Sequence, residues 1–105
     1  MLTQYPRHPV TAAQVAKGDV RLDIKFRTVW ISDRMVATLS PRKASLLQAL
    51  LESKGPVKRE KLLHAVWGGA GGAPALEKTV QRLREDLGDE GRRLQTTPEG
   101  YEIVG

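Results

Sequence analysis

Residues 74–88 carry side chains whose types and spacing suit the reading of nucleic-acid bases. Leu76, Val80, Leu83 and Leu87 recur at the interval of one helix face. On the same helix Lys78, Arg82 and Glu85 share another face, with Gln81 beside it. Pro74 stands where a first helical residue is tolerated, and Gly88 where a helix stops. A helix lying in a DNA groove needs this layout. One side is held by a core, and the other presents Arg, Lys, Gln and Thr to base edges and phosphates. A carboxylate in such a place accepts from cytosine. The same pattern also describes an ordinary amphipathic helix with a solvated face. The rest of the chain has to decide.

The elements that position this helix must come from a chain of 105 residues, enough for one domain with a modest core. A large enclosed active-site cleft is not expected. The formal charge of +5 and a pI near 9.9 favour an anionic partner, most simply nucleic acid. Between Pro41 and Arg84 nine cations face three anions, a surplus larger than that of the whole chain. With no cysteine, disulfides and cysteine-zinc sites are impossible. His8 and His64 are far apart and belong to no ligand-like cluster, so no metal and no cofactor are expected. No acid–base pair or nucleophile with a nearby base is readable, so no enzyme is expected. No apolar run reaches membrane-spanning length and no signal-peptide core is present, which predicts a cytoplasmic protein without a membrane partner.

In chain order, residues 1–17 are expected to be an N-terminal tail, with at most a turn of helix over Thr11–Ala16, and residues 18–105 a single domain. Val20, Leu22 and Ile24 alternate with Arg21, Asp23 and Lys25 as in a half-buried strand. Thr28 to Ile31 is a second strand, Ser32-Asp33-Arg34 a turn, and Val36 to Leu39 a third strand. Trp30 is expected in the core or on a sheet face. Ser40-Pro41 opens a helix striped by Leu46, Leu47, Leu50 and Leu51 and closed by Gly55-Pro56, with Lys43 where a capping box would place Glu or Gln. A second helix spans about Arg59 to Trp67. Lys58, Arg59 and Lys61 cluster at its start, where cations oppose the helix dipole unless phosphate is nearby. Residues 68–73 form a glycine-rich link. It is not a phosphate-binding loop, because no Gly-Lys-Ser/Thr follows. Asp89-Glu90-Gly91 is a turn, and Leu94–Thr97 and Tyr101–Val104 form a hairpin about Pro98-Glu99-Gly100.

Sheet, two helices, a loop, a third helix and a hairpin, in that order, resemble the OmpR/PhoB-type winged helix-turn-helix, the DNA-binding effector domain of bacterial response regulators. The residues that carry the resemblance run from about Gly18 to Val104. They are Thr28-Val29-Trp30-Ile31, Leu39-Ser40-Pro41-Arg42 into Ala44-Ser45-Leu46-Leu47, and Arg59-Glu60-Lys61-Leu62-Leu63 ending in Val66-Trp67. Val80-Gln81-Arg82-Leu83-Arg84 with Leu87-Gly88, and Gly100-Tyr101, complete them. The resemblance implies an α+β fold with an N-terminal antiparallel sheet, a three-helix core and a β-hairpin wing. It implies that helix 74–87 lies in the major groove, with Lys78, Thr79, Arg82 and Arg84 facing it. Residues 94–104 would be the wing, and loop 68–73 the one that meets RNA polymerase in activators of the family. The chain departs from the family in three respects. It is expected to carry no receiver domain, an acidic Pro98-Glu99 stands at a slightly shortened wing tip, and Glu77, Glu85 and Asp86 dilute the basic face of helix 74–87; in addition, Ala44 stands where an aromatic residue is favoured.

The expectation is therefore a bacterial transcriptional regulator that binds duplex DNA sequence-specifically. Lys78, Thr79, Gln81, Arg82 and Arg84 would face the major groove, and Lys58, Arg59 and Lys61 the phosphates. Because one domain covers one half-site, a homodimer, tandem copies or a helping partner is expected. The alternative is a winged-helix module that binds a regulator or RNA polymerase through the acidic wing and glycine loop, with little or no DNA binding.

Overall fold

The computed structural model describes residues 13–105. The N-terminal strands alternate as their sequence requires. Val20 and Leu22 of β2 (Val20–Asp23) and Val29 and Ile31 of β3 (Thr28–Ile31) are buried, while their neighbours lie half-exposed on the other face. Trp30 is on that outer face, opposite Met35 of β4 (Arg34–Thr38). The β3–β4 connection is a two-residue loop in which Ser32 (φ 52) and Asp33 (φ 64) are both left-handed, the twist that hairpins favour. Neither residue is glycine. Ser32 donates its hydroxyl to Asp19, and Asp33 accepts from Arg21 at 3.1 Å, so side chains hold the loop.

A fourth strand extends this sheet where a tail was expected. Gln14–Lys17 form β1 and pair antiparallel with β2, giving the order β1-β2-β3-β4. Gln-Val-Ala-Lys has too little apolar alternation to announce a strand; the backbone edge of β2 supplies the pairing instead. The expected helical turn is thus replaced from residue 14 onward, while its first residues, with the remainder of the tail and His8, lie outside the described residues.

Helix α1 (Pro41–Leu51) starts as read, with the Ser40 hydroxyl accepting from the Lys43 N–H at 3.4 Å. It ends earlier than Gly55, because Ser53 closes a turn through its hydroxyl and the Gly55 backbone. A two-residue strand β5 (Val57–Lys58) leads into α2 (Arg59–Trp67). Helix α3 (Ala73–Leu87) follows the glycine-rich loop, and a short 3-10 helix (Gly88–Arg93) leads into β6 (Leu94–Thr96) and β7 (Gly100–Ile103). These last strands form a second sheet, β5-β7-β6. Gly100 has to be glycine there, since a Cβ would come within 2.0 Å of the Val57 carbonyl oxygen.

Both sheets and all three helices feed one core. Leu46, Leu47 and Leu50 come from α1, Leu62 from α2, and Leu76, Val80, Leu83 and Leu87 from α3; Leu94, Tyr101 and Ile103 come from the hairpin. This is a winged helix-turn-helix fold, with the hairpin β6–β7 as the wing.

A charged clamp joins the two ends of the fold. The Arg93 guanidinium donates to Glu90 at 2.6 Å, to both Asp19 oxygens at 2.9 and 3.2 Å, and to the Val104 carbonyl at 3.3 Å. The Ser32 hydroxyl, and then Arg93, hold the Asp19 carboxyl below the usual carboxylate range. Hydrogen bonding from Arg93 does the same for Glu90. Both groups therefore contribute stability that is full above their unfolded pKa and lost as pH falls through the folded one. Arg93 itself is shifted upward and stays charged throughout. Urea denaturation from pH 7 down to about pH 3 should show stability falling below roughly pH 5. An Arg93→Met variant should be less stable at neutral pH and show a shallower decline. Equal slopes for the two proteins would separate this clamp from the acid sensitivity.

Candidate nucleic-acid interface

The stripe Leu76, Val80, Leu83 and Leu87 is buried, which fixes the rotation of α3 about its axis. Lys78, Gln81, Arg82 and Glu85 are consequently exposed and line a shallow groove of about 300 Å³ along the helix. Among the described residues none of these four side chains makes a hydrogen bond or an ion pair. Asp86, which in the sequence dilutes this face, is turned away from it. It accepts from the half-exposed Lys43 ammonium on α1 at 2.6 Å, so the two charges offset each other at the α1–α3 seam.

Two of the expected groove-facing residues have other commitments. Thr79 is half-buried and donates its hydroxyl to the Ala75 carbonyl at 2.8 Å, leaving only acceptor capacity for a base. Arg84 is held by the wing. Its Nε donates to the Leu94 carbonyl at 2.8 Å and its Nη2 to the Thr96 hydroxyl at 2.9 Å, so in the unbound protein it fastens α3 to β6. The reason is angular. Arg84 follows buried Leu83 on the flank of the helix that meets the wing, whereas Arg82 precedes it on the open side.

The second cationic group lies at the start of α2. Lys58 is exposed on β5, directly opposite Gly100 of the wing. Arg59 is half-buried and stacks on the Tyr101 ring, its guanidinium carbon 5.1 Å from the centroid. Lys61 is exposed. Lys58 caps α2 with no side-chain hydrogen bond, and the backbone N–H groups of a helix's first turn favour an anion. The stack and the Lys43–Asp86 pair are invisible in the sequence, because each joins residues some forty positions apart.

Around these groups the loop and wing tip keep the chemistry their sequence announces. Gly68 (φ 63) and Gly69 (φ 85) are left-handed, and Trp67 packs under the loop with Arg42 stacked 5.2 Å from its ring. At the tip the Thr97 N–H donates to the Gly100 carbonyl at 2.8 Å, leaving Pro98 and Glu99 exposed. Among the described residues no three His, Cys, Asp or Glu side chains are grouped to hold a metal ion. No helix of those residues is long and apolar enough to cross a membrane.

The family model described as "Transcriptional regulatory protein, C terminal" matches residues 34–103. This chain belongs to that family. Among solved structures, it superposes with a TM-score of 0.72 and 27% identity on a streptococcal redox sensor described as evolved from two-component response regulators. That match covers 93% of this chain and 45% of the sensor. The DNA-binding domain of Klebsiella pneumoniae RstA, solved in complex with the RstA box, matches with a TM-score of 0.68 and 26% identity, over 87% of this chain and 96% of that one. The DNA-binding domain of Escherichia coli CpxR shares the fold at 20% identity and a TM-score of 0.69, over 88% of this chain and 96% of that one. The chain thus spans a little under half the length of the streptococcal relative and nearly all of the isolated domains. No curated protein matches it.

Hydrogen bonds from a charged donor stabilise by about 1.5–3 kcal/mol each when sheltered and by less when half-exposed. A double-mutant cycle with Arg84→Ala and Thr96→Val should therefore give a coupling of about 0.5–1.5 kcal/mol in urea denaturation. Amide exchange at Leu94 to Thr96 should accelerate in the Arg84→Ala protein. Additive effects with unchanged exchange would mean that Arg84 does not fasten the wing.

Proposed function

We propose that this chain is the duplex-DNA-binding part of a transcriptional regulator, with α3 in the major groove. One observation carries the reading. The apolar face of α3 is fully buried, while Lys78, Gln81 and Arg82 stand exposed on the opposite side with no partner among the described residues. Arginine in that position matches guanine and glutamine matches adenine. Thr79 contributes its acceptor or its methyl group. Lys58, Arg59 and Lys61, at the N-terminus of α2, contact phosphates and fix the register. Arg84 orients the wing and follows α3 toward the backbone. The RstA domain, similar in sequence and fold, is bound to its box in the solved complex, which supports the same use here.

The exposed Glu99 at the wing tip is repelled by phosphate, so α2 and α3 carry the contact. One such domain covers one half-site, and tight binding then requires a homodimer, tandem copies on repeated sites or a partner regulator. Loop 68–73 faces outward and is available to RNA polymerase or that regulator.

The test is titration against a pool of random duplexes at two salt concentrations. One enriched sequence is expected, with roughly a hundredfold loss of affinity between about 50 and 200 mM salt. Arg82→Ala should cost about 1–3 kcal/mol on that sequence and relax one base position. Lys58→Ala or Lys61→Ala should weaken all duplexes alike and lower the salt slope by about one. Salt-sensitive binding without enrichment would favour an architectural role. No binding at all would favour the protein-interaction reading, with the wing tip and glycine loop as the docking surface.

A further inference from the structure

We infer that Glu85 is a specificity-determining residue of this face, its carboxylate accepting from the N4 amino group of a cytosine next to the base read by Arg82. The inference rests on the DNA reading above. Glu85 follows Arg82 by three residues and Lys78 by seven, so all three lie on one line of the helix, on the far side from Leu76 and Leu87. If α3 enters a groove with that side first, Glu85 enters with it. Three residues rise about 4.5 Å along a helix, close to the spacing of about 3.4 Å between bases along a strand. The bases met by Arg82 and Glu85 are then neighbours.

The carboxylate is also unspent. Helical spacing places it beside Gln81 and Arg82, and Arg92 lies across a second shallow groove that Glu85 lines together with Leu94 and Gln95. It pairs with none of them. The neighbouring acids behave differently, for Asp86 is neutralised by Lys43 and Glu90 by Arg93. Glu77 lies on the flank of the face. An ionised carboxylate only accepts. On the major-groove edges, donors are the N4 amino group of cytosine and the N6 amino group of adenine, and in adenine the acceptor N7 stands beside the donor and repels the carboxylate. Cytosine is the remaining match. Sequences without a donor there meet an unpaired negative charge in a groove walled by phosphates, so Glu85 rejects them as well as recognising the correct one.

The experiment selects duplexes from a random pool with this chain and with a Glu85→Ala variant, an exposed helical position that leaves the core untouched. The parent should enrich a cytosine column adjacent to the guanine column that Arg82→Ala relaxes. Changing that cytosine to thymine, or to N4-methylcytosine, should weaken the parent by about tenfold or more. Glu85→Ala should bind all three duplexes equally and bind non-specific duplex more tightly than the parent. If Glu85→Ala enriches the same cytosine and gains affinity uniformly, Glu85 only repels phosphate; the inference is overturned while the DNA reading stands. If the parent enriches no sequence, the sequence-specific reading and this inference both fall.

Discussion

The burial of one stripe on α3 governs the rest of this molecule. Leu76, Val80, Leu83 and Leu87 are all within a few per cent of full burial, and each contributes about 1.5–3 kcal/mol relative to exposure. A domain of this size has a net stability of only about 5–15 kcal/mol. Turning α3 by one residue would expose most of the stripe, at a cost comparable to that whole margin. The helix is therefore locked in rotation, and Lys78, Arg82 and Glu85 are aimed outward by what lies behind them. Recognition chemistry on this face owes its geometry to packing.

The wing completes that geometry by joining two cationic groups that have no direct bond. Arg84 of α3 donates to Thr96, Thr96 stands opposite Tyr101 across the β6–β7 pair, and Tyr101 carries the Arg59 guanidinium of α2 on its ring. Tyr101 also stands opposite Val57 of β5, which leads directly into α2. The central strand β7 thus fixes the start of α2 relative to α3. At Gly100 the strands approach so closely that no side chain fits. The hairpin is a brace as much as a probe. An acidic tip is compatible with that role.

Much of this was legible because periodicity reports burial. The helices, β2, β3 and the wing strands follow from where leucine, valine and isoleucine recur, and the exposed reading face follows from what is left over. Harder to see were β1 and β5. Gln14–Lys17 has no clean alternation, and two residues at 57–58 are too few to show any; each exists because a neighbouring strand offers an unpaired edge. The resemblance supplied Arg84 as a groove residue, and the local pattern could not reveal its bonds to residues 94 and 96, which depend on how the wing folds back. The same holds for Asp86, whose partner Lys43 lies one helix and a sheet strand away in the chain.

These engagements alter the meaning of the charge surplus. Nine cations between Pro41 and Arg84 suggest a strongly attracting surface. Yet Lys43 is cancelled by Asp86, Arg84 is fastened to the wing, and Arg42 and Arg59 are stacked on Trp67 and Tyr101. A stacked or hydrogen-bonded arginine keeps its field but meets a phosphate only from a fixed position. The exposed lysines Lys54, Lys58, Lys61 and Lys78, with Arg82, are fewer than the composition implies. Non-specific attraction scales with the phosphates neutralised, so on the proposed DNA reading a single copy would be held by a small number of contacts. On the proposed DNA reading, discrimination would depend on the few side chains that meet base edges, and a carboxylate among them would sharpen selectivity at the expense of general affinity. That balance suits a domain whose tight binding comes from a second copy or a partner on an adjacent half-site.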